Sequence, residues 1–151
     1  DLLSRLFEQQ QQLSAAAAWL RQSTDIDADD LKGHKRLASL YGRLERDEEQ
    51  RDILSRVVLI DPFDTEVHLQ LAELNEKREA WEDAVVSRQA VASLSPRDPV
   101  VSRERLARAQ MMSGDLSGAR QSLLRALEQA PMHEPGLELL MELRSKNAKT
   151  Q

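Results

Sequence analysis

No cysteine occurs among the 151 residues, so disulfides and thiolate metal sites are excluded and the redox compartment stays open. Aromatic residues are scarce, at 3%, and β-branched runs bounded by turn residues are missing. That leaves little from which to build a sheet and no platform for stacking bases. A basic excess is lacking too. The net charge is −5 and the pI about 5.3, which argues against a nucleic-acid surface. No apolar run approaches the roughly 20 residues of a membrane helix, and no signal-peptide pattern is visible. A soluble protein, cytoplasmic or periplasmic, is therefore expected. What the chain does have is 40% hydrophobic and 31% charged residues, enough for a core and unlike a disordered composition. An all-α fold follows.

Taken in order, Leu2, Leu3, Leu6 and Phe7 mark a first amphipathic helix. A second helix would need a turn capped at Ser14. Neither Gly nor Pro interrupts Gln9 to Gln12 and Ala15 to Ala18, however, so one continuous helix is the alternative. The aspartates between Thr24 and Asp30 resemble a calcium loop only superficially. Counting from Asp25, Asp30 and Arg36 stand where the loop needs Gly and Glu, and the carboxylates are better read as caps for the next helix. That helix should run from about Leu31 to Leu44. Asp47 with Gln50 forms a capping box for the following one, which ends before Asp61-Pro62. Asp64-Thr65 opens another helix, Trp81 begins the next, and Ser95-Pro96 closes it. Asp98-Pro99 is an N-cap followed by proline at the first helical position. Gly114-Asp115 starts a helix that ends before Pro131, and a last helix spans about Glu134 to Ser145.

These helices pair with a period. Leu106, Ala107, Gln110, the turn Ser113-Gly114-Asp115, Ala119, Leu123, Ala126 and Pro131 set a pattern. It returns at Leu71, Ala72, Ala84, Val91 and Pro96, again at Leu37, Ala38, Tyr41, Leu54, Val57 and Pro62, and more faintly at Leu3, Ser4, Phe7, Ala16 and Leu20. The pattern resembles the tetratricopeptide repeat (TPR), a helix–turn–helix unit of about 34 residues. Small residues twelve apart (Ala72/Ala84, Ala107/Ala119) let the two helices of a unit approach closely. Gln50 breaks that rule, and a looser second unit is the expected cost. His34, His68 and Arg103 replace the pattern's tryptophan, and Asn75 and Gln110 replace its aromatic residue. Pro62, Pro96, Pro99 and Pro131 exclude a long coiled coil.

The resemblance implies an all-α, right-handed α-solenoid of stacked antiparallel helix pairs. It would form a single domain over 1–145, with repeats at about 1–30, 31–64, 65–98 and 99–133, a capping helix at 134–145 and a frayed tail at 146–151. Each unit is too small to bury its apolar face alone, so neighbours share one core.

Chemistry finds little footing. His34 and His68 would sit about 10 Å apart on facing helices, His133 neighbours only Glu134, and no zinc-site spacing exists. There is no nucleophile elbow and no phosphate loop. No enzyme activity, cofactor or metal is expected. By the resemblance, the first helices of the units line a groove for a peptide or a partner's helix. It would present Lys35, Ser39 and Arg43, then Leu69, Gln70, Glu73 and Lys77, then Arg105, Arg108 and Met112. Glu73–Lys77 and Glu104–Arg108 also fit plain intrahelical pairs. Some family members grip the acidic tail of heat-shock chaperones with a five-residue clamp. Lys35 and Arg105 match two of its places, while Ser39, Gln70 and Val101 occupy those of asparagine, asparagine and lysine. A missing lysine removes a charge-assisted contact, so the resemblance does not extend to that ligand. The expected function is a non-catalytic protein–protein interaction scaffold, a segment of a larger protein. The alternatives are a self-associating module, a homo-oligomer with Trp19, Trp81, Met111 and Met112 at its contacts, or the accessory domain of an enzyme whose active site lies elsewhere.

Overall fold

The computed structural model describes residues 2–94 and 97–149, with side chains from residue 8 to residue 146 of these. Eight helices occur among the described residues: α1 (Leu2–Ile26), α2 (Leu31–Arg43), α3 (Asp47–Ile60), α4 (Thr65–Lys77), α5 (Trp81–Ser93), α6 (Pro99–Met112), α7 (Leu116–Gln129) and α8 (Glu134–Lys149). The side chains of Leu2, Leu3, Leu6 and Phe7 lie outside the described set. Two compact units are present, Asp1–Val67 and His68–Gln151, with the boundary inside α4.

Aspartate caps open four of the eight helices. Asp30 accepts the N–H of Gly33 at 2.9 Å and opens α2. Asp64 accepts those of Glu66 and Val67 at 3.1 and 3.2 Å and opens α4. Asp98 does the same for Val100 and Val101, with Pro99 at the first helical position, and Asp115 takes Gly118 N–H at 2.8 Å. Helix α3 departs from the expected capping box. Its N-cap is Arg46, which makes no side-chain cap bond, and Asp47 already lies inside the helix. Arg46 is held there by its guanidinium, 4.9 Å from the centre of the Tyr41 ring and bonded through Nε to Glu49 at 2.8 Å.

Two other expectations give way at the chain's extremes. Residues 2–26 form one helix and not a hairpin, because nothing in the Gln- and Ala-rich stretch stops helix propagation. At the other end α8 continues to Lys149, past the Ser145 expected as its last residue. No glycine or proline interrupts it between Ser145 and Lys149, and Lys146 reaches back to Glu142 at 4.0 Å.

The first unit buries Ala17 of α1, Leu37, Ala38 and Tyr41 of α2, and Ile53, Leu54 and Val57 of α3. Gln50 is accommodated there by a missing side chain: a Cβ on Gly42 would come within 2.8 Å of Gln50 Nε2. The second unit packs Ala107 and Met111 of α6 against Ala119 and Leu123 of α7 and Leu139 and Leu143 of α8. The alanines twelve apart, Ala72 and Ala84, Ala107 and Ala119, are all fully or almost fully buried, as close helix approach demands.

Candidate partner-binding site

Glu73 and Glu76 come from α4, Arg88 from α5, and Glu104, Arg105 and Arg108 from α6. Together with Pro135 of α8 they line one cleft of about 410 Å³ in the second unit. The cleft is charged, and most of its charge is committed. Arg88 is only 3% exposed, and its guanidinium grips Glu76 with both arms, Nε to Oε1 at 2.7 Å and Nη2 to Oε2 at 2.9 Å. A buried cation survives only with such pairing. Glu104, also buried, accepts from Arg108 Nε at 3.3 Å and Nη2 at 3.2 Å. Glu73 and Arg105, by contrast, are exposed and hold no ion pair among the described residues. The cleft thus offers one carboxylate and one guanidinium from opposite helices, set against walls fixed by two ion pairs.

Of the groove residues expected from the sequence, Glu73, Arg105 and Arg108 line this cleft together. Leu69, Gln70, Lys77 and Met112 stand on the same two helices without lining it: Leu69 and Gln70 are half-buried, Lys77 and Met112 exposed. Lys35, Ser39 and Arg43 are exposed on α2 in the first unit. Lys35 is occupied by an ion pair with Asp64. Burial opposes ionisation of Asp64, but the Lys35 ammonium and the N–H groups of Val67 and Glu66 outweigh it, and its carboxyl sits below the usual carboxylate range. The Glu104–Arg108 pair forms within α6.

Glu76, Arg88 and Glu104 were not among the expected site residues. A signal for the first pair exists in the sequence: twelve residues separate facing positions of a helix pair, and Glu76 and Arg88 stand twelve apart with opposite charge. The surface markers for self-association need one correction. Met111 is 3% exposed and belongs to the core of the second unit, because its face of α6 packs on α7 and α8. Trp81 is half-buried, while Trp19 and Met112 are exposed. No group of three or more metal-ligating side chains converges among the described residues, and no helix there is long and apolar enough to cross a membrane.

No family model matches the sequence, and no curated protein matches it. Solved structures do. The first TPR domain of Spaghetti (RPAP3), bound to the HSP90 peptide SRMEEVD, is similar over 78% of this chain and 93% of that one, at 17% identity and a TM-score of 0.61. MamA from Desulfovibrio magneticus is similar over 97% of this chain and 92% of that one, at 12% identity and a TM-score of 0.61. PilW, a type IV pilus biogenesis factor, is similar over 95% of this chain and 66% of that one, at 15% identity and a TM-score of 0.56. With its succession of helices, the buried alanines twelve residues apart and these neighbours, the chain has the all-α fold of a tetratricopeptide repeat array.

Proposed function

We propose that the chain is a non-catalytic protein-interaction scaffold that takes up a peptide or a partner's helix on the α4 and α6 surfaces of the second unit. The observation that carries this reading is the asymmetry of the cleft. Two ion pairs fix its walls, while Arg105 and Glu73 remain available to a ligand. Preformed walls spare a ligand the cost of ordering them, and an uncommitted guanidinium is the strongest single anchor for a carboxylate. The fold it shares with the RPAP3 domain, a domain solved with a peptide bound, supports the same reading. Self-association through exposed Trp19 and Met112 is the competing use of the surface.

The test is a peptide selection on the intact chain, followed by affinity measurements on Arg105→Glu. Arg105 is exposed and holds no ion pair among the described residues, so the reversal should leave the melting temperature nearly unchanged. Selected peptides should bind the variant at least about tenfold more weakly, in keeping with the loss of a charge-assisted contact. Equal affinity for both proteins would place the binding face elsewhere. A concentration-dependent dimer whose formation blocks the peptides would favour self-association.

A further inference from the structure

A second cleft, of about 380 Å³, opens in the same unit between α5, α6 and α7. In a protein carrying net −5, its lining holds two arginines, Arg103 and Arg125, and no carboxylate. The rest is largely amide and hydroxyl, with Gln89, Gln110, Gln121 and Ser122 prominent. Two guanidinium groups beside one cleft without a counter-charge repel each other, and an anion entering between them relieves that repulsion. From this juxtaposition we propose that the cleft binds a phosphate group, as a dianion held by Arg103 and Arg125.

The site is organised beforehand. Arg103 donates from Nη1 to Gln129 Oε1 at 2.9 Å and to the Pro99 carbonyl at 3.5 Å. One arm of its guanidinium is thereby fixed, and Nε and Nη2 are left for a ligand. Arg125 has no hydrogen-bonding or ionic partner among the described residues. At the cleft wall Gln110 is nine-tenths buried, and its Oε1 accepts the Ser122 hydroxyl at 2.8 Å. With Oε1 taken up by Ser122, the Nε2 end of the amide is its donor. The donors outnumber what a single carboxylate can accept, whereas a phosphate brings more terminal oxygens and up to twice the charge. The volume also leaves room for the first atoms of whatever carries the phosphate.

Sequence supports the assignment independently. Arg103 and Gln110 both stand where the repeat pattern has aromatic residues. They are seven residues apart, two helical turns, and so share a face of α6. The position is separate from the α4/α6 cleft, so the two readings stand or fall apart.

The experiment is a ¹⁵N-resolved NMR titration of the whole chain with inorganic phosphate at constant ionic strength, slightly above neutral pH. In parallel arms O-phosphoserine and acetate replace the phosphate. The Gln110 side-chain amide and the Ser122 backbone should shift saturably. Arg125→Gln should raise the dissociation constant at least about fivefold, and Arg125→Lys should recover part of the loss. Arg105→Gln, in the other cleft, should leave it unchanged. Arg125 is exposed, so its replacement does not threaten the fold. Tighter binding of phosphoserine than of inorganic phosphate would identify a phosphorylated polypeptide as the source; the reverse order would identify the free ion. Acetate binding as well as phosphate, shifts that never saturate, or an Arg125→Gln titration identical to the wild type would each overturn the proposal.

Discussion

Glu45 and Glu79 adopt φ of 55° and 57°, angles at which an L-residue's Cβ crowds the following carbonyl at a cost of about 1–2 kcal/mol. They occupy equivalent places after the ends of α2 and α4, and at the third such place, after α6, stands Gly114 with φ of 91°. The backbone at these positions is therefore dictated by the helix-to-helix turn, and two of these three turns are made with a residue that resists it. Both side chains are exposed, and neither holds an ion pair among the described residues. Replacing either glutamate by glycine should stabilise the protein by about 0.5–1 kcal/mol, the left-handed penalty less glycine's larger unfolded-state entropy. Denaturant titration measures it, with Glu79→Ala as the control. Alanine keeps the Cβ and should give no comparable gain; equal gains from both would trace the effect to lost charge and not to backbone geometry.

At the level of elements, the sequence disclosed what local chemistry controls and missed what depends on packing or on the absence of a stop. Caps at Asp30, Asp64, Asp98 and Asp115 are local side-chain-to-backbone bonds, so a short window of residues sufficed to find them. The capping box at Asp47 failed because the Arg46 guanidinium, engaged by Tyr41 and Glu49, fixes the helix start one residue earlier. Arg88 reads as an ordinary surface cation until Glu76, twelve residues away, is placed opposite it. Of the expected groove, Glu73, Arg105 and Arg108 converge; helix periodicity can give a shared face, but not which neighbouring helix narrows it into a cleft. The N-terminal stretch was ambiguous for a physical reason, since a weak turn and no turn look alike in a run of good helix formers. The continuous helix Leu2–Ile26 makes a sharp prediction there. Spin labels at Glu8 and Gln22, fourteen residues apart, should lie about 21 Å apart along a single helix rising 1.5 Å per residue. A folded-back pair would bring them much closer, and a short distance in a double electron–electron resonance measurement would refute the single helix.

Over the whole molecule, carboxylates depressed by their partners make stability depend on pH in a definite direction. Asp64 is held low because the Lys35 ammonium and two backbone N–H groups overcome its burial. Glu49 is held low first by Arg46 and then by its own backbone N–H. For each, the folded state binds its proton less readily than the unfolded chain does. The resulting stability is fully present above the unfolded carboxylate value of about 4, and it is lost as pH falls through the lower folded value. Glu49 is partly exposed and its share is screened by solvent, so the less exposed Asp64, at 13% side-chain exposure, should dominate this pair's acid response. Asp64→Asn isolates the charge, because asparagine caps a helix about as well as aspartate. Urea midpoints measured from neutral pH down to about 3 should show the wild type more stable than Asp64→Asn at neutral pH, with the gap closing as the medium becomes acidic. Lys35→Met should close the same gap from the other partner. A difference that persists unchanged at the acid end would mean that it does not come from the Asp64 charge, and that the ion pair with Lys35 adds nothing to the folded state.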